Sequence, residues 1–261
     1  MSKYITHFQT EAAYQSALPS LDLPNVSLVD ELGEVHYHRA LYGAHAGDIC
    51  LYDVAEGQKI FVTAENWNLT DYPTASYPIV GIAIADENPT GVTLCSALGM
   101  AEDGSTSTTD VKLKWQNEYF DWGLTKYGQD SALNDLNGKT NTATIIAAIK
   151  AYDLSHSTDN LTGNASGAIQ AFAVTGTSAG DWYIGAGGEV NTMFRSTELL
   201  NSLNKIKTTD SNLASLINTR HYKTSTEYNS PNDIIIFPTS PYTVTYNYKN
   251  SDYYVRPFLR V

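Results

Sequence analysis

Catalysis near neutral pH needs a nucleophile, a base or a metal, and in this 261-residue chain the side chains that supply them are few and scattered. None of the six histidines (His7, His36, His38, His45, His156 and His221) sits beside a G-x-S-x-G elbow or a comparable setting. The run His36-Tyr37-His38 puts two imidazoles on one side of a strand, a pair with no third ligand at workable spacing, and reads as a polar strand face. Cys50 and Cys95 lie in apolar runs, GDICLYDV and GVTLCSALGM, without a C-x-x-C companion. They read as two buried reduced thiols, with one disulfide allowed but not required. The glycine run GAGGE ends on Glu189 where a phosphate loop needs lysine. Asp103 and Asp110 in AEDGSTSTTDVKL lack the spacing of a calcium loop and read as solvated. No catalytic residue, metal or cofactor is assigned; calcium is compatible with the chain but nothing calls for it.

The chemistry the chain does concentrate is that of contact. Seven of its 18 tyrosines fall between Tyr222 and Tyr254, interleaved with asparagine, serine and threonine. Tyrosine offers a large rigid surface on two rotors and asparagine adds adaptable hydrogen bonding, the mixture found in recognition surfaces. Exposed rings stack on sugar faces, and amides and carboxylates bond hydroxyls. The ligand-facing candidates are Asn229, Asn232, Tyr242, Tyr246, Tyr248, Asn250, Asp252 and Tyr253. The same segment alternates, with Tyr246 and Tyr248 two apart, so about half of its tyrosines are equally well read as the buried face of a strand.

A net charge of -12 with no cluster of lysine and arginine argues against nucleic-acid binding. The beginning MSKYITHFQTE has no apolar core of a secretory signal, and no apolar run approaches the about 20 residues of a membrane span. A cytoplasmic site of synthesis and no membrane insertion are the expectation. Aromatic residues at 11% and charged residues at 17% suit a folded chain with a polar, uncharged surface.

Three regions must position these residues. Residues 1–42 form a small separate unit, with VSLVDELGEVHYHRA as a hairpin about Leu32-Gly33. Residues 43–133 are β-rich, with strands in GDICLYDV, QKIFVTAE, YPIVGIAIAD and GVTLCSALGM. Residues 134–261 mix helices and strands. A helix capped at Thr140 or Asn141 carries Ile145, Ile146 and Ile149, SGAIQAFAVTG supplies a second, and GEVNTMFRSTELLNSLNKI reads as one more. IIIF, TVTYNY and YYVRPFLRV are strands, and the fold class is α+β.

Several of these segments resemble a known family. GDWYIGAGGE, STEYNSPNDIIIF and YYVRPFLRV are similar to the C-type-lectin-like domains of the Lcl C-terminal family, relatives of the formylglycine-generating, sulfatase-modifying fold. Trp182, Gly188, Glu189, Ser225, Thr226, Glu227, Tyr228, Val255, Arg256 and Pro257 carry the match, while Ile184-Gly185 and Lys223-Thr224 depart from it. The resemblance implies a C-type-lectin-like fold of mixed short strands with two or three helices over 43–261, its core in 134–261. Trp182, Glu189, Glu227 and Arg256 would be structural. Arg256, before Pro257 in an apolar strand, needs a buried partner, for which Glu189 and Glu227 are the natural candidates. The related oxidases use a cysteine pair near their C-terminus, which Cys50 and Cys95 do not match, so no enzymatic activity is implied.

The beginning of the chain is similar to the leader of virion proteins from crAss-like and other gut Bacteroidales bacteriophages. The match rests on Tyr4, Phe8, Ala13, Tyr14, Pro24, Asn25, Val26, Ser27, Val35 and Tyr37. It implies a virion location, with Tyr4, Phe8, Tyr14, Asn25 and Val26 in docking to other capsid or tail proteins. It also implies a head or tail fibre or decoration protein, homo-oligomeric and trimeric by resemblance. Its terminal domain would contact a host-surface glycan or protein. A purely structural virion component whose tyrosines contact neighbouring subunits, and a bacterial surface adhesin of the same domain family, are the alternatives.

Overall fold

The computed structural model describes residues 28–29, 35–36, 44–88, 91–107, 110–210, 220–238 and 243–261. Within them lie an isolated hairpin and two larger sheets flanked by helices, an α+β architecture. The hairpin is β1 (Leu28–Val29) against β2 (Val35–His36), as the turn residues between them predict. The proposed docking residues Tyr4, Phe8, Tyr14, Asn25 and Val26, and Tyr242, lie outside the described residues.

The six-stranded sheet is built from β3 (Ile49–Asp53), β4 (Gln58–Val62), β5 (Ile79–Ala83), β6 (Leu94–Ser96), β8 (Tyr183–Ile184) and β13 (Pro257–Arg260), in the order β4-β3-β5-β6-β13-β8. Its strands are near-continuous apolar runs because both faces are covered. Side-chain alternation sends Ile49 and Leu51 into one core and Cys50 into the other. Cys50 stands opposite Gly81 on β5 and Cys95 opposite Ala83, so β5 lies between the two cysteine strands. Strands spaced by about 4.8 Å put backbones two strands apart about 9.6 Å from each other. That is beyond the about 7 Å a disulfide bridges, so the thiols stay free. Hydrogen bonding to Cys50 and then burial push the Cys95 thiol well up.

The five-stranded sheet comprises β7 (Val111–Leu113), β9 (Tyr222–Asn229), β10 (Asn232–Phe237), β11 (Thr243–Tyr248) and β12 (Tyr253–Val255), in the order β11-β10-β9-β12-β7. The terminal run YYVRPFLRV, read above as one strand, is two. Tyr253–Val255 pairs with β7, and beyond Arg256 the chain crosses to the other sheet to pair with β6. Proline lacks the N–H that a continuing ladder needs, so the switch falls at Arg256-Pro257.

Helix α1 (Gly138–His156) begins earlier than the Thr140 or Asn141 cap read above, because Asp135 Oδ2 takes the Asn141 amide at 2.8 Å. It buries Ile145 and Ile149 with α2 (Ala165–Ala171) in the first core, beside Trp115, Trp122 and Trp182. GEVNTMFRSTELLNSLNKI holds two helices, α3 (Gly187–Arg195) and α4 (Thr197–Thr209), because Ser196 interrupts it and its hydroxyl caps Leu199 N–H at 3.1 Å. Val190, Met193, Leu199, Leu203 and Ile206 enter the second core with Tyr222, Ile234 and Ile236. The glycines of GAGGE serve close packing: a Cβ at Gly188 would stand 2.5 Å from Leu133 O and 2.7 Å from Asp135 O.

Candidate functional site

The five-stranded sheet buries charged pairs beside its apolar side chains. Arg256, fully enclosed at the sheet switch, donates from Nη2 to Asp110 Oδ2 at 2.8 Å, from Nε to Oδ1 at 3.1 Å and from Nη1 to Ala97 O at 3.1 Å. The Tyr222 hydroxyl donates to the same carboxylate. This corrects two expectations. Neither Glu189 nor Glu227 is the partner, and Asp110 is buried against Arg256 rather than part of a solvated loop. The attraction of Asp110 holds the guanidinium above its usual range against the loss of solvation.

Glu189 and Glu227 are committed elsewhere. Glu189 accepts from Ala186 N–H at 2.9 Å at the start of α3, from the Tyr183 hydroxyl at 3.1 Å and from Arg260 Nη2 at 2.9 Å. Burial nevertheless raises its carboxyl. Glu227 accepts from Lys249 Nζ at 2.5 Å, Lys126 Nζ at 2.9 Å, Trp122 N–H at 3.1 Å and Leu124 N–H at 3.2 Å. Lys249 also donates to Phe120 O at 3.0 Å and lies 3.9 Å from the centre of the Trp122 ring. Trp182 stands edge-on to Phe172 and donates to Thr177 Oγ1 at 2.9 Å. On β9 and β10, Lys223 Nζ faces Asp233 at 3.2 Å from each oxygen, both residues enclosed. Burial lowers Lys223 and raises Asp233 to about 6.

These groups are matched in buried pairs that tie separate segments together. Of the histidines whose side chains are described, His45 lies against Asp86 at 3.3 Å, His156 beside Ser155 and stacked on Tyr152, and His221 against Phe237. Among the described residues no three metal-ligating side chains converge. Among the described residues, grooves open on the surface. One of about 650 Å³ runs along Pro78, Ile79, Leu98, Phe172 and Val174, and one of about 570 Å³ lies between Tyr52, Lys59, Gly176 and Asp181. Neither gathers the buried acids described above.

The tyrosines form a shelf on the outer edge of this sheet. Tyr246 and Tyr248 project to one face of β11 and are 43% and 52% exposed. Tyr246 stacks on Tyr228 at 4.1 Å with an angle of 1°, and Tyr248 leans on Tyr119 at 5.4 Å. Tyr119, itself 51% exposed, was not singled out from the sequence, although its aromatic run EYFDW was a usable signal. Lys249 N–H turns inward to Pro231 O at 3.0 Å, so alternation turns the backbone of Val244, Tyr246 and Tyr248 outward. Gln129 Nε2 donates to Val244 O at 3.0 Å, and Tyr248 N–H is taken by Asn247 Oδ1 at 2.7 Å. Part of the edge is thereby closed to strand pairing, and what it presents is rings.

The other candidates divide. Asn229 Oδ1 accepts from Asn232 N–H at 3.1 Å and from its Nδ2 at 2.8 Å, which closes the β9–β10 turn and leaves Asn232 buried. Tyr253 is half-buried, and its hydroxyl accepts from Asn247 Nδ2 at 2.5 Å. Asn250 is half-buried in the turn after β11, and Asp252 is exposed beyond it. The structure therefore brings Tyr119, Tyr228, Tyr246 and Tyr248 together and assigns the asparagines at 229 and 232 to holding a turn.

No protein-family profile and no curated protein sequence matches the chain. Among solved structures, the chain is similar to a fimbrial protein from Bacteroides ovatus at 16% identity with a TM-score of 0.39, over 91% of this chain and 48% of that one. The chain thus spans about half the length of that protein, and a likeness so distant carries neither fold nor function.

Proposed function

We propose that this protein is a recognition component that contacts a partner surface through the shelf of Tyr119, Tyr246 and Tyr248, and that it does so as a bacteriophage head or tail fibre or decoration protein. The carrying observation is that Tyr246 and Tyr248 stand open to solvent while each is braced by a second ring. Large apolar rings kept in one orientation lose little freedom on binding, which is what a contact surface requires. The free face of a braced tyrosine suits the face of a pyranose ring, so a host-surface glycan is the first ligand class and a protein the second. A C-type-lectin-like fold and the virion setting belong to this proposal and rest on the resemblances of 43–261 and of the leader.

The test is retention of the purified full chain on host cells and on a glycan array, for the native protein and for Tyr246→Ala/Tyr248→Ala. The reading predicts at least a tenfold loss, since central aromatic anchors each contribute about 2 kcal/mol or more. Full binding by the folded variant rejects this surface. A second reading has its own observation: the shelf lies on a sheet edge, and tyrosine is enriched at subunit contacts. In that reading the shelf joins copies of the chain, a trimer by resemblance. Light scattering then shows the double variant falling to monomer.

A further inference from the structure

We propose that Lys223 and Asp233 condense into an intramolecular amide that fastens β9 covalently to β10. The two are on paired antiparallel strands, with Lys223 opposite Ile235, Asp233 opposite Glu227 and a register shift between, so their side chains meet across the ladder. Nζ lies 3.2 Å from both carboxyl oxygens. Equal distances place it on the plane that bisects the carboxyl group, a plane that contains the line of attack on the carbon, so Nζ needs no change of partner to reach Cγ.

The other buried pairs show why this one is different. Lys249 satisfies its ammonium with a carboxylate, the Phe120 carbonyl and the face of Trp122, and Glu227 receives two backbone N–H groups and Lys126 besides. Arg256 cannot lose its proton, and it has a carbonyl as well as Asp110. Those pairs are solvated by the protein. The hydrogen bonds described for Lys223 Nζ go to Asp233 alone, with the Tyr253 ring 5.6 Å away. Both members are fully enclosed. An ion pair so poorly supported costs more than it returns.

Transfer of one proton from the ammonium to the carboxylate gives a neutral amine and a neutral acid, a form that burial favours for both groups. The shifts run the same way: Asp233 rises to about 6 and Lys223 falls, with Asp252 and Lys249 the other charges that reach the pair. The Nζ lone pair then attacks Cγ and the C–N bond forms. One C–O bond breaks, and the oxygen leaves with two protons, one already on the acid and one from nitrogen, as water. No oxidant or cofactor enters. Two buried charges become one neutral amide, and the strand pair that carries the tyrosine shelf on its outer side can no longer separate.

Intact-mass spectrometry of the purified full chain, followed by tryptic mapping, decides the matter. The expected mass is about 18 Da below that of the sequence, the mass of the expelled water. The loss should map to the peptide 221–249, uncut after Lys223, and Lys223→Arg should restore the sequence mass. A folded native protein at full mass, cut normally after Lys223 even after long incubation at pH 6, overturns the proposal. So does a deficit that persists in Lys223→Arg, which would place the dehydration elsewhere, for example at Asp103-Gly104. If that variant does not fold, the position of the deficit in the native tryptic map decides alone.

Discussion

At the centre of the six-stranded sheet stand Ile49, Cys50, Leu51, Ile82, Ala83 and Cys95; the five-stranded sheet buries Lys223, Glu227 and Asp233 on its strands and Lys249 and Arg256 just beyond β11 and β12, beside the apolar Ile234, Ile235 and Ile236. The outer edges differ too. β11 closes the five-stranded sheet with exposed Tyr246 and Tyr248, whereas β4 ends the other with Gln58 exposed and Phe61 and Val62 turned inward. One sheet is apolar at its centre; the other buries ion pairs beside apolar side chains such as Tyr222, Ile234 and Ile236 and leaves rings exposed at its edge. Apolar contacts are non-directional, so the first sheet is fixed by shape and register alone. Charges accept only particular partners, so the second is fixed by identity: Asp110 for Arg256, Glu227 for Lys249. Pairing these ions inside the sheet costs solvation that apolar contacts would not. It fixes the strands that hold an aromatic surface in place.

Perturbing each sheet should therefore have different consequences. The largest effect belongs to Arg256→Ala, which removes the three hydrogen bonds of the guanidinium and leaves the buried Asp110 carboxylate with the Tyr222 hydroxyl and the more distant Arg220 at 3.6 Å. It should cost about 3–5 kcal/mol in chemical denaturation, and an unchanged midpoint would remove the ion pair from the account. In the six-stranded sheet Ile82→Val deletes one buried methylene. It should cost about 0.5–1.5 kcal/mol with the fold otherwise intact. A loss as large as that of Arg256→Ala would erase the contrast between the sheets.

A smaller effect separates them by pH. Glu189 sits where charge enters the six-stranded sheet, between β8 and Arg260 of β13. Burial raises its folded carboxyl above the unfolded value, so just above pH 4.5 the folded state binds more protons than the unfolded one. Its contribution is then fully present at lower pH and is lost as pH rises through the folded value. Glu189→Gln should flatten that decline in a pH series of melting temperatures; an identical slope in both proteins would contradict the assignment. Least disturbed of all are the thiols. Cys50 and Cys95 should resist alkylation in the native protein and react once it is unfolded, and rapid native labelling would mean the apolar sheet opens.

The two sheets also differed in how far they could be read from sequence. β3 to β6, β10 and β11 announce themselves as β-branched and apolar runs between turn residues. β9 does not, because Lys223-Thr224-Ser225-Thr226-Glu227 looks like surface. It is buried because its polar atoms find partners from distant segments, among them Thr224 Oγ1 to Ile234 O at 2.8 Å and Thr226 Oγ1 to Asp135 Oδ2 at 2.7 Å. Nothing in one sequence links Arg256 to Asp110 across 146 positions. The break between α3 and α4 was legible in Ser196, a capping residue inside an apolar repeat. The tyrosine segment was legible as a class of surface, but which rings face outward depends on β11 being an edge, and an edge is a property of the sheet.

The central claim, that the sheet with buried ion pairs holds an open aromatic surface for contact, is tested most directly by Tyr248→Ala, with binding to host cells and thermal unfolding measured on the same sample. A half-exposed ring should contribute about 0.5 kcal/mol or less to folding. The account predicts binding weakened about tenfold or more with the melting temperature essentially unmoved. Undiminished binding, or a melting temperature lower by many degrees, would contradict it.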